Sequence, residues 1–229
     1  MSEKKLQPIV ESYDTNKEYL YNKSYLFIKG FAEGRNFKYT LKSLPLARRM
    51  HDGQFRKGLQ EIEVINHIIN EQGEVQDVPT RIKVHLPYIL HCLKVCSTLM
   101  SLNIPMSDDE LDILYTCAIL HDTLEDAEEY FPRGGIEYEQ QYGFPSIVGE
   151  TIKLLSKHTG ADEYELNEYF NNIKKNKFAL LVKLADRSHN VEDLYNMKNI
   201  PKYIKETRDY FICIIKKFSN EELNVVFSS

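Results

Sequence analysis

Apolar residues recur at three- and four-residue intervals along most of this chain, and one stretch alternates instead. Residues 107 to 122 open with Ser107 and Glu110, an S-x-x-E capping pair, and continue with Leu111, Leu114, Tyr115 and Ala118 on one side. The spacing predicts an amphipathic helix that runs into His121-Asp122. A second helix is predicted from Pro87, a residue suited to a first helical turn, with Tyr88, His91, Val95 and Leu99 down one face. Asp162 and Glu165 form another capping pair, followed by Leu166, Tyr169, Phe170 and Ile173. The segment from Phe178 to Asn190 then reads as a helix with Leu181, Val182 and Ala185 inward. A last long helix is predicted over about 201–218, starting at Pro201. Its stripe of Ile204, Thr207, Tyr210, Phe211, Ile214, Ile215 and Phe218 is expected to be buried.

The exception lies between residues 61 and 86. Apolar and polar positions alternate in EIEV (61–64) and in RIKVHL (81–86), with NEQGE between them, which predicts a β-hairpin inserted at about 59–86. In RIKVHL, Ile82, Val84 and Leu86 would face the body, and Arg81, Lys83 and His85 would face outward. No repeat, low-complexity tract or Gly/Ser linker interrupts the pattern. The expected fold is all-α with one inserted hairpin, a single domain over residues 1–229.

Composition narrows the class of function. The formal net charge of −5 and pI of about 5.8 provide no protein-wide positive field for DNA or RNA, so nucleic acid is not an expected partner. A phosphate-bearing ligand would have to be held by local features. Cys92 and Cys96 are spaced C-x3-C, which could form half of a metal site. They lie in an apolar helical stretch with no answering pair and read as core thiols. The N-terminus has charges but no apolar signal core, and no window approaches the ~18 apolar residues of a membrane span. These features predict a cytoplasmic protein with reduced cysteines and no membrane partner.

Three polar elements stand out against the apolar stripes. The run LHDTLEDAEE places five carboxylates between positions 122 and 129 directly after His121. If helical, Glu125 follows His121 by one turn and Asp126 follows Asp122, within about 6 Å between Cβ atoms. Carboxylates so close repel unless a cation sits among them. The second element is Asp186, on one face with Lys183 and Asn190. The third is His91, alone among apolar neighbours. Each also has an ordinary reading, as a solvated acidic helix end, a surface Lys–Asp pair and a core histidine.

Together His91, His121, Asp122 and Asp186 give the order H…HD…D on successive helices. The surrounding segments HDGQFRKG (51–58), PYILHCLKV (87–95), AILHDTLEDA (118–127) and VKLADRSHN (182–190) resemble the successive motifs of one HD branch. That branch comprises the hydrolase domains of RelA/SpoT enzymes and the stand-alone small alarmone hydrolases. The resemblance covers roughly residues 44–197. It implies an HD-domain helical bundle binding one divalent ion, manganese in most of the family, that removes the 3'-pyrophosphate from guanosine tetra- and pentaphosphate. It further implies that His91, His121, Asp122 and Asp186 are the metal ligands and that Glu125 and Asp126 activate or order water. Arg56 and Lys57 would lie beside the nucleotide, Asn190 near ribose and phosphates, and His51 and Gln54 would be supports. Lys183 shares the face of Asp186 and Asn190 and is grouped with the substrate residues.

Two imidazoles and two carboxylates are a mixed nitrogen and oxygen set suited to Mn2+, with Fe2+ or Zn2+ as alternatives. The chain departs from the family at Ala127, where Thr is usual, and in the long segment 59–86. A small-molecule nucleotide is the expected partner, and homo-oligomerisation is left open. Two other readings remain: an HD phosphohydrolase acting on an adenine alarmone, an NADPH-like dinucleotide or a nucleoside phosphate, and a non-catalytic nucleotide-binding regulator.

Overall fold

The computed structural model describes residues 12–56, 60–69, 72–156, 162–192 and 200–212. Lys57 of the expected basic pair lies outside them, as do Ile214, Ile215 and Phe218 of the expected C-terminal stripe. The described chain is mostly helical, in keeping with an all-α class. Its elements in order are α1 (Ser12–Arg35), α2 (Lys38–Met50), β1 (Gln60–Ile69), β2 (Val75–Val84), α3 (Ile89–Ser101), α4 (Asp108–Leu120) and the single turn α5 (Thr123–Asp126). They continue with the single turn α6 (Glu137–Gln140), α7 (Ser146–Leu155), α8 (Glu163–Ile173), α9 (Lys177–Glu192) and α10 (Ile200–Glu206). No helix among the described residues is long and apolar enough to cross a membrane.

Both capping pairs form. Ser107 and Glu110 close a reciprocal box at the start of α4, and Asp162 and Glu165 do the same for α8. Helix α4 is the spine of the core: Leu114, Tyr115, Cys117, Ala118, Ile119 and Leu120 are all buried, and α2, α3, α7 and α9 pack around it. His91, Val95 and Leu99 of α3 join that core, as do Val182 and Ala185 of α9.

Helix α2 has no side-chain cap of its own. Asp112, from the second turn of α4, supplies one across the core. Its carboxylate accepts the backbone N–H of Tyr39 (3.0 Å), the backbone N–H of Thr40 (2.7 Å) and the Thr40 hydroxyl (2.8 Å). The orphan donors of a helix start are thereby satisfied by a carboxylate that is itself 5% exposed.

Two antiparallel strands, β1 and β2, pair from Gln60↔Val84 to Ile69↔Val75. Chain entering and leaving this ribbon is stitched together at its base: Arg56 N–H donates to the Leu86 carbonyl (2.8 Å) and Tyr88 N–H to the Gln54 carbonyl (2.9 Å). Val84 and Leu86 are buried with Leu90 of α3, while Arg81, Lys83 and His85 are exposed. The side chain of Ile82 lies outside the described set.

Two expectations need correction. The helix expected over residues 107–122 stops at Leu120; His121 and Asp122 form a turn, and α5 restarts at Thr123. The C-terminal helix is α-helical only to Glu206, and Thr207–Ile212 wind as a wider π turn. That change rotates the stripe. Tyr210 stacks on Phe170 with centroids 4.3 Å apart, but Ile204 is 52% exposed rather than buried.

Candidate metal centre

Three helices deliver the polar side chains to one place. Helix α3 carries His91, the turn after α4 carries His121 and Asp122, and α9 carries Asp186. Both histidines are 2% exposed and Asp186 is 5% exposed. His91 Nε2 lies 3.1 Å from Asp186 Oδ1 and 3.5 Å from Asp122 Oδ2. His121 Nε2 lies 2.9 Å from Asp122 Oδ2 and 3.9 Å from Asp186 Oδ1.

The orientation of His121 is informative. Its Nδ1 is 2.8 Å from the Ala118 carbonyl. A carbonyl can only accept, so Nδ1 carries a proton. In the neutral ring Nε2 is then a bare lone pair, and it faces two carboxylates. This buried nitrogen makes no hydrogen bond of acceptable geometry, even with Asp122 so near. Ligand atoms of His91, His121 and Asp186 lie within 4.8 Å of one another around it. Lone pairs so arranged repel unless a cation lies among them, either a proton on the ring or a metal ion. Burial alone would push the His121 imidazolium down; Asp122 and then Asp186 outweigh it and hold it up at about 9. The donor set and the orphan nitrogen together fit a divalent ion, which His91, His121, Asp122 and Asp186 could hold.

Neighbours fix the carboxylates. Asp186 accepts from Lys183 Nζ at 2.9 Å on Oδ2 and from Asn190 Nδ2 at 2.5 Å on Oδ1. Burial would raise its pKa, but Lys183 and the His91 contact hold it well below the usual carboxylate range. The i, i+3 and i, i+4 spacing of these residues on α9 brings them together. Asp122 is likewise held well below its ordinary value, because His121 and His91 outweigh its burial. It accepts from the Tyr88 hydroxyl at 2.8 Å.

Beside this cluster lie the other residues singled out in the sequence. Glu125 and Asp126 are in the exposed turn α5, whose backbone N–H groups donate to the Asp122 carbonyl at 3.1 and 2.9 Å. The Asp126 carboxyl is raised, first by burial and then by Asp122. Arg56 is half-buried, donates to Asn190 Oδ1 at 2.8 Å, and sits 5.7 Å from the Tyr88 ring centroid. Arg56 and Asn190 therefore meet although 134 positions separate them. His51 and Gln54 act as struts: His51 Nδ1–H donates to Gln54 Oε1 (2.7 Å), and Gln54 Nε2 donates to the Asp126 carbonyl (2.6 Å). Gly53, with φ of +72°, lets the chain turn sharply between them.

Three further residues lie near the centre, two of them, Tyr88 and His189, with no site role expected from the sequence and the third, Cys92, expected only as a core thiol. Tyr88 and His189 lie three positions from His91 and Asp186 on their own segments, a helical spacing that could have flagged both. Cys92 is fully buried, as expected of a core thiol. Its sulfur also lies within 4.8 Å of ligand atoms of His121 and Asp122, a placement that only the packing of α3 against α4 reveals. The chain matches no family model.

Proposed function

We propose that this chain is a divalent-metal phosphohydrolase of the HD type, acting on the 3'-pyrophosphate of guanosine tetra- and pentaphosphate with Mn2+ as its metal. The observation that carries the metal-dependent part is the position of His121 Nε2, buried and facing two carboxylates with no hydrogen bond of acceptable geometry. The nucleotide assignment rests on the resemblance of the four sequence segments to RelA/SpoT hydrolase domains.

When bound, a divalent ion supplies Lewis acidity toward a phosphoryl oxygen and toward water. The chain's own residues do the rest. Glu125 is the first candidate to take a proton from the attacking water, with Asp126 beside it to order that water. Loss of such a base typically costs about 10²- to 10⁴-fold in rate. Lys183 and Asn190 hold Asp186 in one orientation, as Tyr88 does for Asp122. Arg56, braced by Asn190 and set near the Tyr88 ring, offers a planar guanidinium that can stack on a base or fork onto phosphate. The base of the β1–β2 ribbon adjoins Arg56 through the Leu86 carbonyl, so the ribbon borders the side where the nucleotide would lie.

The test is direct. Purified protein incubated with Mn2+ and guanosine tetraphosphate should release pyrophosphate and leave guanosine 5'-diphosphate. Release only from an adenine alarmone, a phosphorylated dinucleotide or a nucleoside phosphate would keep the reaction class and replace the substrate. Metal binding with turnover of none of these would leave the regulator reading.

A further inference from the structure

His189 lies one helical turn beyond Asp186 on α9 and is 7% exposed. Its Nδ1 is 2.7 Å from the Nδ1 of His91, and the two ring centroids are 4.8 Å apart. Ring nitrogens at that separation share one proton, with one ring donating and the other accepting. The other nitrogen of His91, Nε2, is the one that faces Asp186 and Asp122. A neutral imidazole that offers Nε2 to a metal carries its proton on Nδ1. His91 Nδ1–H must then donate, and His189 Nδ1 must accept.

We infer that His189 is a positioning residue, the hydrogen-bond acceptor that holds His91 with its Nε2 lone pair turned toward the metal. It plays for His91 the part that the Ala118 carbonyl plays for His121. The two acceptors differ in one respect. A carbonyl can only accept, so His121 has one arrangement. An imidazole can also donate, and if His189 Nδ1–H donated the hydrogen bond and His91 Nδ1 accepted it, the neutral His91 ring would carry its hydrogen on Nε2, where it blocks the metal. His91 is therefore the ligand whose competence depends on a neighbour. The inference rests on the metal-binding part of the proposed function and not on the identity of the nucleotide.

The experiment is a Mn2+ titration of nucleotide-free protein by calorimetry, for the wild type and for His189→Leu, His189→Asn and His189→Gln, with melting temperatures of the metal-free proteins alongside. Removing the acceptor in His189→Leu should weaken Mn2+ binding by about 10- to 100-fold, the range seen when partners of metal-ligating histidines are lost. Asn carries an acceptor the same number of bonds from the backbone as His Nδ1, so His189→Asn should stay within about threefold of wild type. Gln places its acceptor one bond farther out and should resemble Leu. Should the Leu variant not fold, the Asn–Gln comparison decides alone. Equal losses in all variants would mean that His189 acts by packing, and no loss in any would mean that His91 needs no acceptor; either overturns the inference. A wild type that binds no divalent ion overturns it together with the proposed function. A wild type that binds Mn2+ with the predicted split among variants, yet cleaves no nucleotide, supports the inference and sinks only the reaction.

Discussion

Helix α4 has a buried acidic centre at each end, and the two are built differently. Near its start, Asp112 is enclosed by donors: two backbone N–H groups and a hydroxyl from the first residues of α2. Its charge is answered within the protein. Just past its end, His121 and Asp122 meet His91 and Asp186, and the buried His121 Nε2 faces carboxylate oxygens without a hydrogen bond of acceptable geometry. Asp112 and Asp186 are each 5% exposed. Both centres supply donors to their carboxylates, Lys183, Asn190 and Tyr88 in the second, but only the second leaves a buried histidine nitrogen without a partner.

The largest expected effect breaks the second centre. Asp122→Ala should abolish Mn2+ binding and turnover together, as measured by metal content after dialysis and by pyrophosphate release. Glu125→Gln separates the two readouts: the metal should be retained and kcat should fall on the order of 10²-fold or more. Asp126→Asn, tested in parallel, asks whether its raised carboxyl makes it the better base. A normal kcat for Glu125→Gln would remove Glu125 from the mechanism.

The first centre should respond in the complementary way. Asp112→Ala strips the acceptor from three donors at the start of α2. Loss of the cap and of buried partners should lower unfolding stability by about 2–4 kcal/mol, read from urea denaturation, while one metal ion per chain is retained. Lost metal binding in a folded Asp112→Ala protein would mean that the two ends of α4 are not separable.

A smaller, graded effect is expected with pH. His121 is raised from its ordinary 6.5 to about 9 in the metal-free protein, and metal binding requires that proton to leave. Apparent Mn2+ affinity should therefore rise with pH, approaching tenfold per unit, and level off near 9. The stability that charged His121 contributes to the metal-free protein is complete below about 6.5 and is lost as pH rises toward 9. Asp122 and Asp186 act with the opposite sign. Held below the ordinary carboxylate value, they stabilise above it, and that contribution fades as pH falls. Thermal melts of metal-free protein should weaken toward alkaline pH, and Mn2+ should remove that weakening.

Much of the second centre was legible in the sequence and almost none of the first. His121 and Asp122 stand out because an apolar helix runs straight into them, and the spacing of Lys183, Asp186 and Asn190 correctly put them on one face of α9. The stop at Leu120 carried no Gly or Pro to announce it, so the turn that turns His121 and Asp122 inward was invisible. Asp112 follows the acidic first turn of α4 and reads as a solvated charge; only the start of α2, 72 residues away in sequence, makes it buried. Ile204 fits a helical stripe that the π turn at Thr207–Ile212 then rotates. Long-range partners and changes of helical pitch are the properties that local periodicity does not encode.

The central claim is that four side chains from three helices share one cation. An anomalous difference map from crystals grown with Mn2+ tests it most directly. The account predicts one strong peak per chain, bounded by His91 Nε2, His121 Nε2, Asp122 and Asp186 and within coordination distance of each donor atom. A map with no peak there, or with the ion held by the exposed carboxylates of α5 alone, would contradict it.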